Sequence, residues 1–310
     1  MPVLEQKVAA AAAVERIADA VRRVTRALGE AGIEAPGGDA RRLIAAATGL
    51  SAAQLLAAPE AHVDPAAART LAEMVRRRCA REPVSRILGT RDFYGRTFKV
   101  TPATLDPRPD SETLIEAALA IAGKEGWRDL PIRILDIGTG SGCLLVTLLA
   151  ELPQASGVGG DISEEALAVA SENALGHGVL SRLQVALHDG LEGLDGPFDL
   201  VVCNPPYIAS GEISGLSPEV RDYDPRAALD GGPDGLDVYR ALMPSLTRVI
   251  SKGWVLFEVG AGQVDAVAQL LYETIPADRR GALRIWRDLG GHERCVAMEI
   301  QLLRCRKESG

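Results

Sequence analysis

Asn204, Pro205, Pro206 and Tyr207 join rigidity to hydrogen-bonding power at the end of a short apolar run, Val201 to Cys203. Neither proline can continue a strand ladder, so the chain must turn at Asn204. The Asn204 side-chain oxygen and the Pro205 carbonyl then make two fixed acceptors for both hydrogens of one planar NH₂ group. The Tyr207 ring is expected to cover the face of that group. An amide or conjugated amine is a poor nucleophile because its lone pair is delocalised. Fixing both N–H bonds orients the lone pair toward an electrophile, and positioning of this kind supplies up to ~7–11 kcal/mol. Positive charge growing on the nitrogen is met by carbonyl dipoles and the negative face of the ring. No prior base and no covalent enzyme intermediate are needed. The plainer alternative is a turn that merely ends a strand, with Tyr207 packed on the surface.

A second group of residues says what the electrophile is. The stretch Ile134 to Cys143, ILDIGTGSGC, places Gly138, Gly140 and Gly142 between a strand and a helix, where backbone approaches a ligand closely and φ can be positive. The spacing is G-x-G-x-G. The G-x-G-x-x-G that seats a pyrophosphate is absent, which tells against a nicotinamide or flavin dinucleotide. Asp161 ends the next strand, where a carboxylate accepts both hydroxyls of a ribose. An adenosine ligand without phosphates fits the pair. S-adenosylmethionine is the candidate, with Asp136 near its ammonium group and Asp189 near the adenine. A tight strand-helix connection, with Asp161 favouring the N-terminus of the helix that Ser163 caps, is the competing explanation.

Strands alternating with amphipathic helices must carry these residues. From Ile132 the apolar segments IRILDI, SGVGGDI, LQVALHD, FDLVVCN and WVLFEV follow one another with helical stretches between most of them. They predict an open, mainly parallel sheet with helices on both faces. The last two segments, ALRIWRDL and RCVAMEIQLL, are joined only by GGHE and fit an antiparallel hairpin at the sheet edge. Residues 3–82 are rich in Ala, Leu and Arg and read as a small helical bundle. Its helix starts are marked by Asp39, by Ser51 with Gln54 as a capping box, and by Asp64-Pro65. Thr90 to Val100 alternates around Gly95 like a hairpin, and Thr101 to Leu114 is a proline-stiffened connector that enters a helix near Ser111. The expected divisions are 1–86, 87–110 and 111–310.

Composition limits the classes available. Residues 1–86 carry a net charge of +3 and the remainder −11, so the larger part repels a phosphate backbone and DNA binding is not expected. No window approaches the roughly 18 apolar residues of a membrane span, and the Ala-rich start lacks a signal peptide's pattern. A cytoplasmic monomer is expected. The five cysteines, Cys79, Cys143, Cys203, Cys295 and Cys305, lack zinc-ligand spacing, so no metal is expected and free thiols are. Arg22, Arg23, Arg26, Arg76 to Arg78 and Arg81 form two clusters on predicted helices, read as a solvated face or a docking surface. Residues 208–236 form a long segment rich in Gly, Pro and Asp, expected to wall the substrate side of the site.

Taken together, DIGTGSG, DIS and NPPYI resemble the class I S-adenosylmethionine-dependent methyltransferases. The connector LDPRPDSETL and the segment EVRDYDPRAALDGGPDGLDVYRAL (Glu219 to Leu242) are similar, more narrowly, to the protein-(glutamine-N5) methyltransferases that modify peptide chain release factors. The resemblance implies a Rossmann-like α/β domain with a seven-stranded, mostly parallel sheet and an antiparallel edge hairpin, preceded by a helical domain that docks the release factor. It implies that Asp136, Gly138, Thr139, Gly140, Ser141, Gly142, Asp161, Asp189, Gly190 and Asn204 hold S-adenosylmethionine. Asn204 to Tyr207 would hold the glutamine amide of a Gly-Gly-Gln tip, with Arg108 bordering the pocket. Two positions depart from the pattern: Asp106 replaces an aliphatic residue, harmless if exposed, and Gly190 follows Asp189 where an aromatic is common. Alternatives are a ribosomal-protein glutamine, an exocyclic amine of RNA or DNA, or a non-catalytic adenosine-ligand sensor.

Overall fold

The computed structural model describes residues 15–194 and 196–302. The Ala-rich start, Leu303 at the end of the last apolar segment, and Cys305 lie outside the described residues. The chain divides into two compact units, one running to Gly89 and taking in Pro218–Tyr223, the other comprising Thr90–Ser217 and Asp224–Gly310.

The first unit contains helices Ile17–Glu30, Pro36–Thr48, Ala52–Ala57, Pro65–Cys79 and Val84–Leu88. Val24, Leu28, Leu43, Leu71 and Val75 share one buried cluster. The Ser51–Gln54 capping box and the Asp64 cap before Pro65 form as expected. Asp39 does not start its helix. The helix begins three residues earlier at Pro36, and Asp39 is buried in the first turn. There it accepts from Arg78 at 2.8 Å and Arg42 at 2.7 Å, partners that a buried carboxylate needs to stay charged. The arginine clusters are largely engaged within the unit. Arg22 pairs with Asp19, Arg23 with Glu15, Arg76 with Glu73 and Arg77 with Glu82, while Arg78 and Arg81 both reach Glu219.

The second unit opens with an antiparallel hairpin, β1 (Thr90–Phe93) and β2 (Arg96–Lys99). Tyr94 and Gly95 both have positive φ, +47° and +69°, the backbone that a two-residue hairpin turn needs to match strand twist. The sheet strands are β3 (Arg133–Ile137), β4 (Ser156–Asp161), β5 (Leu183–Leu187), β6 (Leu200–Cys203), β7 (Gly253–Glu258), β8 (Arg280–Arg287) and β9 (Glu293–Ile300). They lie in the order β5-β4-β3-β6-β7-β9-β8, with the first five parallel and β9 antiparallel to both neighbours. This is the seven-stranded α/β sheet with an edge hairpin. β5 stops two residues short of Asp189, which belongs to the following turn.

The alternation of strand side chains fills two cores. Ile134, Leu200, Val202 and Leu256 pack with residues of helices Glu112–Glu125 and Cys143–Glu151. Leu135, Val201, Val255 and Phe257 pack on the other face with Tyr239, Leu246 and Val267. With both faces covered, the parallel strands read as near-continuous apolar runs. Their carboxyl ends, where the order reverses between β3 and β6, form the edge at which ligands bind in such sheets. Among the described residues no helix is long and apolar enough to cross a membrane.

Candidate active site

A cavity of about 680 Å³ lies at those carboxyl ends, a size suited to a small organic ligand. One wall is the loop after β3, Gly138 to Ser141. The N–H groups of Gly138 and Thr139 both donate to the Gly160 carbonyl at 2.9 Å, which pins the loop to the end of β4. Gly138 has φ +70°, and a β-carbon there would meet no protein atom within 4 Å, so the backbone itself forms the surface. Gly142 is not on the wall. A β-carbon there would lie 3.1 Å from Ala170 Cβ, so this glycine allows close packing against the helix Glu164–Gly176.

Asp161 lines the cavity. Its Oδ2 accepts from Gly140 N at 2.8 Å and its Oδ1 from Ser163 N at 3.0 Å. It therefore clamps the glycine loop, and each oxygen retains a lone pair for a further donor. Asp136 is almost fully buried and is absent from the cavity wall. Its Oδ2 accepts from Thr139 Oγ1 at 2.7 Å, and its Oδ1 is left without a hydrogen bond. Burial pushes this carboxyl up to about 7; the Thr139 hydroxyl opposes the rise and the charge of Asp161 adds to it. Asp189 and Gly190 both line the cavity. Gly190 has φ +61°, and a β-carbon there would come within 3.2 Å of Leu242, which accounts for glycine where the resemblance leads one to expect an aromatic.

Asn204, Pro205 and Pro206 also line the cavity, immediately beyond β6. The Asn204 Nδ2 donates to Ser111 Oγ at 3.1 Å. Ser111 was expected only to mark a helix start, and it makes no side-chain cap there. Tyr207 stands apart from the cavity wall. Its ring packs with the second core and against Gly260, and its hydroxyl donates to Glu258 Oε1 at 3.4 Å. Burial raises the Tyr207 hydroxyl well above its usual range, as does the charge of Glu258.

Arg108 lines the cavity and pairs with Asp224. Asp224 also accepts from the Asp106 backbone N–H at 3.2 Å, so it fastens the proline-rich connector to residues of the 208–236 segment. From that segment Pro225, Ala227 and Ala228 contribute to the wall. Asp106 is buried, so the condition under which its departure from the pattern would be harmless is not met, and its carboxylate lies 3.8 Å from Arg91. Sequence reasoning missed Ser111 on the cavity wall, and Asp224 and Glu258 as the partners of Arg108 and Tyr207. Ser111 was read only as a helix start, Asp224 sat inside a quoted motif with no role attached, and Glu258 was hidden as the last residue of an apolar strand.

A family model described as the PrmC N-terminal domain matches residues 19–89, and one described as the methyltransferase small domain matches residues 127–216. A release factor glutamine methyltransferase from Cereibacter sphaeroides is 43% identical over 92% of this chain and 99% of its own length. One from Rhodospirillum rubrum is 46% identical over 86% of this chain and 79% of its own. The chain belongs to the release factor glutamine methyltransferase family. Among solved structures, the hMettl16 catalytic domain in complex with an RNA hairpin is similar with a TM-score of 0.53. It is 16% identical over 78% of this chain and 83% of that one, a likeness of fold alone. Residues of the glycine loop and Asn204, Pro205 and Pro206 line one cavity in this member of the release factor glutamine methyltransferase family.

Proposed function

We propose that this protein transfers a methyl group from S-adenosylmethionine to the side-chain nitrogen, N5, of the glutamine in the Gly-Gly-Gln motif of peptide chain release factors. The observation that carries the reading is the Asn204 amide, held on the cavity wall with its NH₂ committed to Ser111. That commitment leaves the Asn204 oxygen available as an acceptor. Relatives sharing 43–46% of their residues carry the same activity in their names.

The residues present fit the methyl donor. Gly138 to Ser141 offer exposed backbone, Asp161 retains acceptor capacity for ribose hydroxyls, and Asp189 with Gly190 borders the far side. The unpartnered Asp136 oxygen beneath the loop suits a cationic neighbour. When bound, S-adenosylmethionine supplies an electrophilic sulfonium methyl group. Asn204 Oδ1 and the Pro205 carbonyl accept the two N–H groups of the glutamine amide and fix its plane. The C–N bond would form as the methyl–sulfur bond breaks, leaving the donor as a neutral thioether; the two oxygens stabilise the positive charge that develops on the nitrogen, which then releases one proton to solvent. Tyr207 acts in this scheme as a brace for the turn through Glu258, in place of a lid over the amide. The helical unit, which matches the N-terminal family model, is assigned to docking the release factor.

Incubation of an unmodified release factor with the protein and methyl-labelled S-adenosylmethionine tests the reading. Label should enter the factor and fail to enter one whose motif glutamine is alanine. Label found on ribosomal proteins or RNA, with the factor unlabelled, would overturn the substrate assignment.

A further inference from the structure

The Asn-Pro-Pro-Tyr turn is poor in backbone donors, because neither Pro205 nor Pro206 has an N–H group. The two rings fix φ and leave ψ, and with it the direction of each carbonyl, to be set from outside the turn. The entry is held by β6, whose last residue, Cys203, pairs with Ile137 and Phe257 on either side. The exit is held by a side chain. Gln263 Nε2 donates to the Tyr207 carbonyl at 2.9 Å and to the Gly235 carbonyl at 3.4 Å, while Gln263 Oε1 accepts from the Gly260 backbone N–H at 2.9 Å.

Every partner of this amide is a backbone group with one possible role. A carbonyl only accepts and an N–H only donates, so the Gln263 nitrogen must face Tyr207 and its oxygen Gly260. Gln263 is itself held in place. Its backbone N–H donates to the Gly260 carbonyl at 3.1 Å, and its carbonyl accepts from Val267 N at 3.0 Å in the first turn of the helix Val264–Thr274. It stands just before that helix, yet its side chain makes no cap there. The approach to Tyr207 is close. A β-carbon at Gly235 would lie 2.3 Å from the Tyr207 carbonyl oxygen and 2.6 Å from Gln263 Nε2.

We infer that Gln263 is a positioning residue for methyl transfer, which aims the Asn204 and Pro205 acceptors at the substrate amide by holding the carbonyl at the end of their turn. The inference rests on the assignment of Asn204 and Pro205 to the glutamine amide. Gln263 is absent from the cavity wall, so it acts through the turn and touches neither substrate nor methyl donor. Two acceptors serve the reaction only where the N–H bonds point, and a displacement of about 1 Å costs roughly 10²-fold in rate.

Steady-state kinetics of Gln263→Met and Gln263→Glu on a release factor at pH 8, with S-adenosylmethionine affinity measured by calorimetry, test the inference. Gln263→Met keeps the length of the side chain and removes its hydrogen bonds. Gln263→Glu keeps an acceptor for Gly260 and loses the donor to Tyr207. Both should lower kcat by a factor on the order of 10², with KM for the factor and S-adenosylmethionine affinity within a few-fold of wild type. The Gln263→Glu/Asn204→Ala double variant should lose less than the product of the two single losses, because both changes act on one pair of acceptors. Wild-type kcat in either variant, a loss carried by KM or by cofactor affinity, or the full product of losses in the double variant would each overturn the inference. If Gln263→Met does not fold, Gln263→Glu decides, and failure of both to fold would make Gln263 a structural residue and overturn it as well. Asn204→Ala separates the two levels: if it is inactive while Gln263→Glu is fully active, only the positioning role fails. If Asn204→Ala is itself fully active, the assignment beneath that role fails.

Discussion

A side chain in this site is defined as much by what its remaining atoms are tied to as by what it offers a ligand. Asn204 offers an oxygen because its nitrogen is bound to Ser111. Asn204→Ala should cut kcat by a factor on the order of 10²–10³, the usual cost of removing one well-placed polar group at a developing charge. S-adenosylmethionine affinity, measured by calorimetry, should move by no more than a few-fold. Asp161 has two duties, since it holds the Gly140 and Ser163 amides while facing the cavity. Asp161→Ala should weaken S-adenosylmethionine binding by more than tenfold, about 1.4 kcal/mol or more, because the ribose acceptor and the loop's clamp are lost together. An unchanged dissociation constant would remove both roles. The places of Asn204 and Asp161 on the cavity wall were legible in the sequence because strand-end position sets where such residues lie. Ser111 was not, since its place beside Asn204 depends on a contact across 93 residues. The neighbours of Tyr207, Glu258 and Gly260, were likewise announced by nothing local.

At the scale of elements, the loop between β3 and the helix Cys143–Glu151 combines open and crowded glycines. Gly138 faces space, whereas Gly142 has φ +77° and almost touches Ala170. Gly142→Ala should therefore cost about 1–3 kcal/mol in urea unfolding, from left-handed strain and overpacking together. An equal loss in Gly138→Ala would show that crowding contributes nothing. The strand order was legible because five strands covered on both faces must read as apolar runs, and the β1–β2 turn because Gly95 needs positive φ. Helix starts were less secure. Asp39 looked like a cap, but Pro36 begins the helix earlier and Arg78 supplies the partner that buries the acid. The segment after the Asn-Pro-Pro-Tyr turn was expected to be a wall, and its residues are shared out: Pro225, Ala227 and Ala228 line the cavity, while Pro218–Tyr223 count with the helical unit.

For the molecule as a whole, two buried carboxyls outside the cavity wall, Asp136 and Glu258, are pushed from ordinary values near 4 up to about 7. The folded state then binds protons that the unfolded state has released, so stability falls as pH rises between those values. Their contribution is complete below pH 4 and gone once pH has risen through about 7. Urea unfolding at pH 5 and pH 8 should show a decline in the wild type that is smaller in Asp136→Asn; an identical decline would mean that Asp136 is ionised throughout. The sequence gives no hint of this, since a strand-end acid and a buried one are spelled alike. Charge at the largest scale was legible, and the −11 carried beyond residue 86 opposes a polyanionic substrate. The central claim is a methyl group placed on one nitrogen by the Asn204 turn. Tandem mass spectrometry of the Gly-Gly-Gln peptide after incubation with S-adenosylmethionine tests it most directly. One added methyl mass on the glutamine side chain with the wild-type protein, and almost none with Asn204→Ala, is the predicted result. An unmodified glutamine under conditions of confirmed cofactor binding, or equal modification by Asn204→Ala, would contradict it.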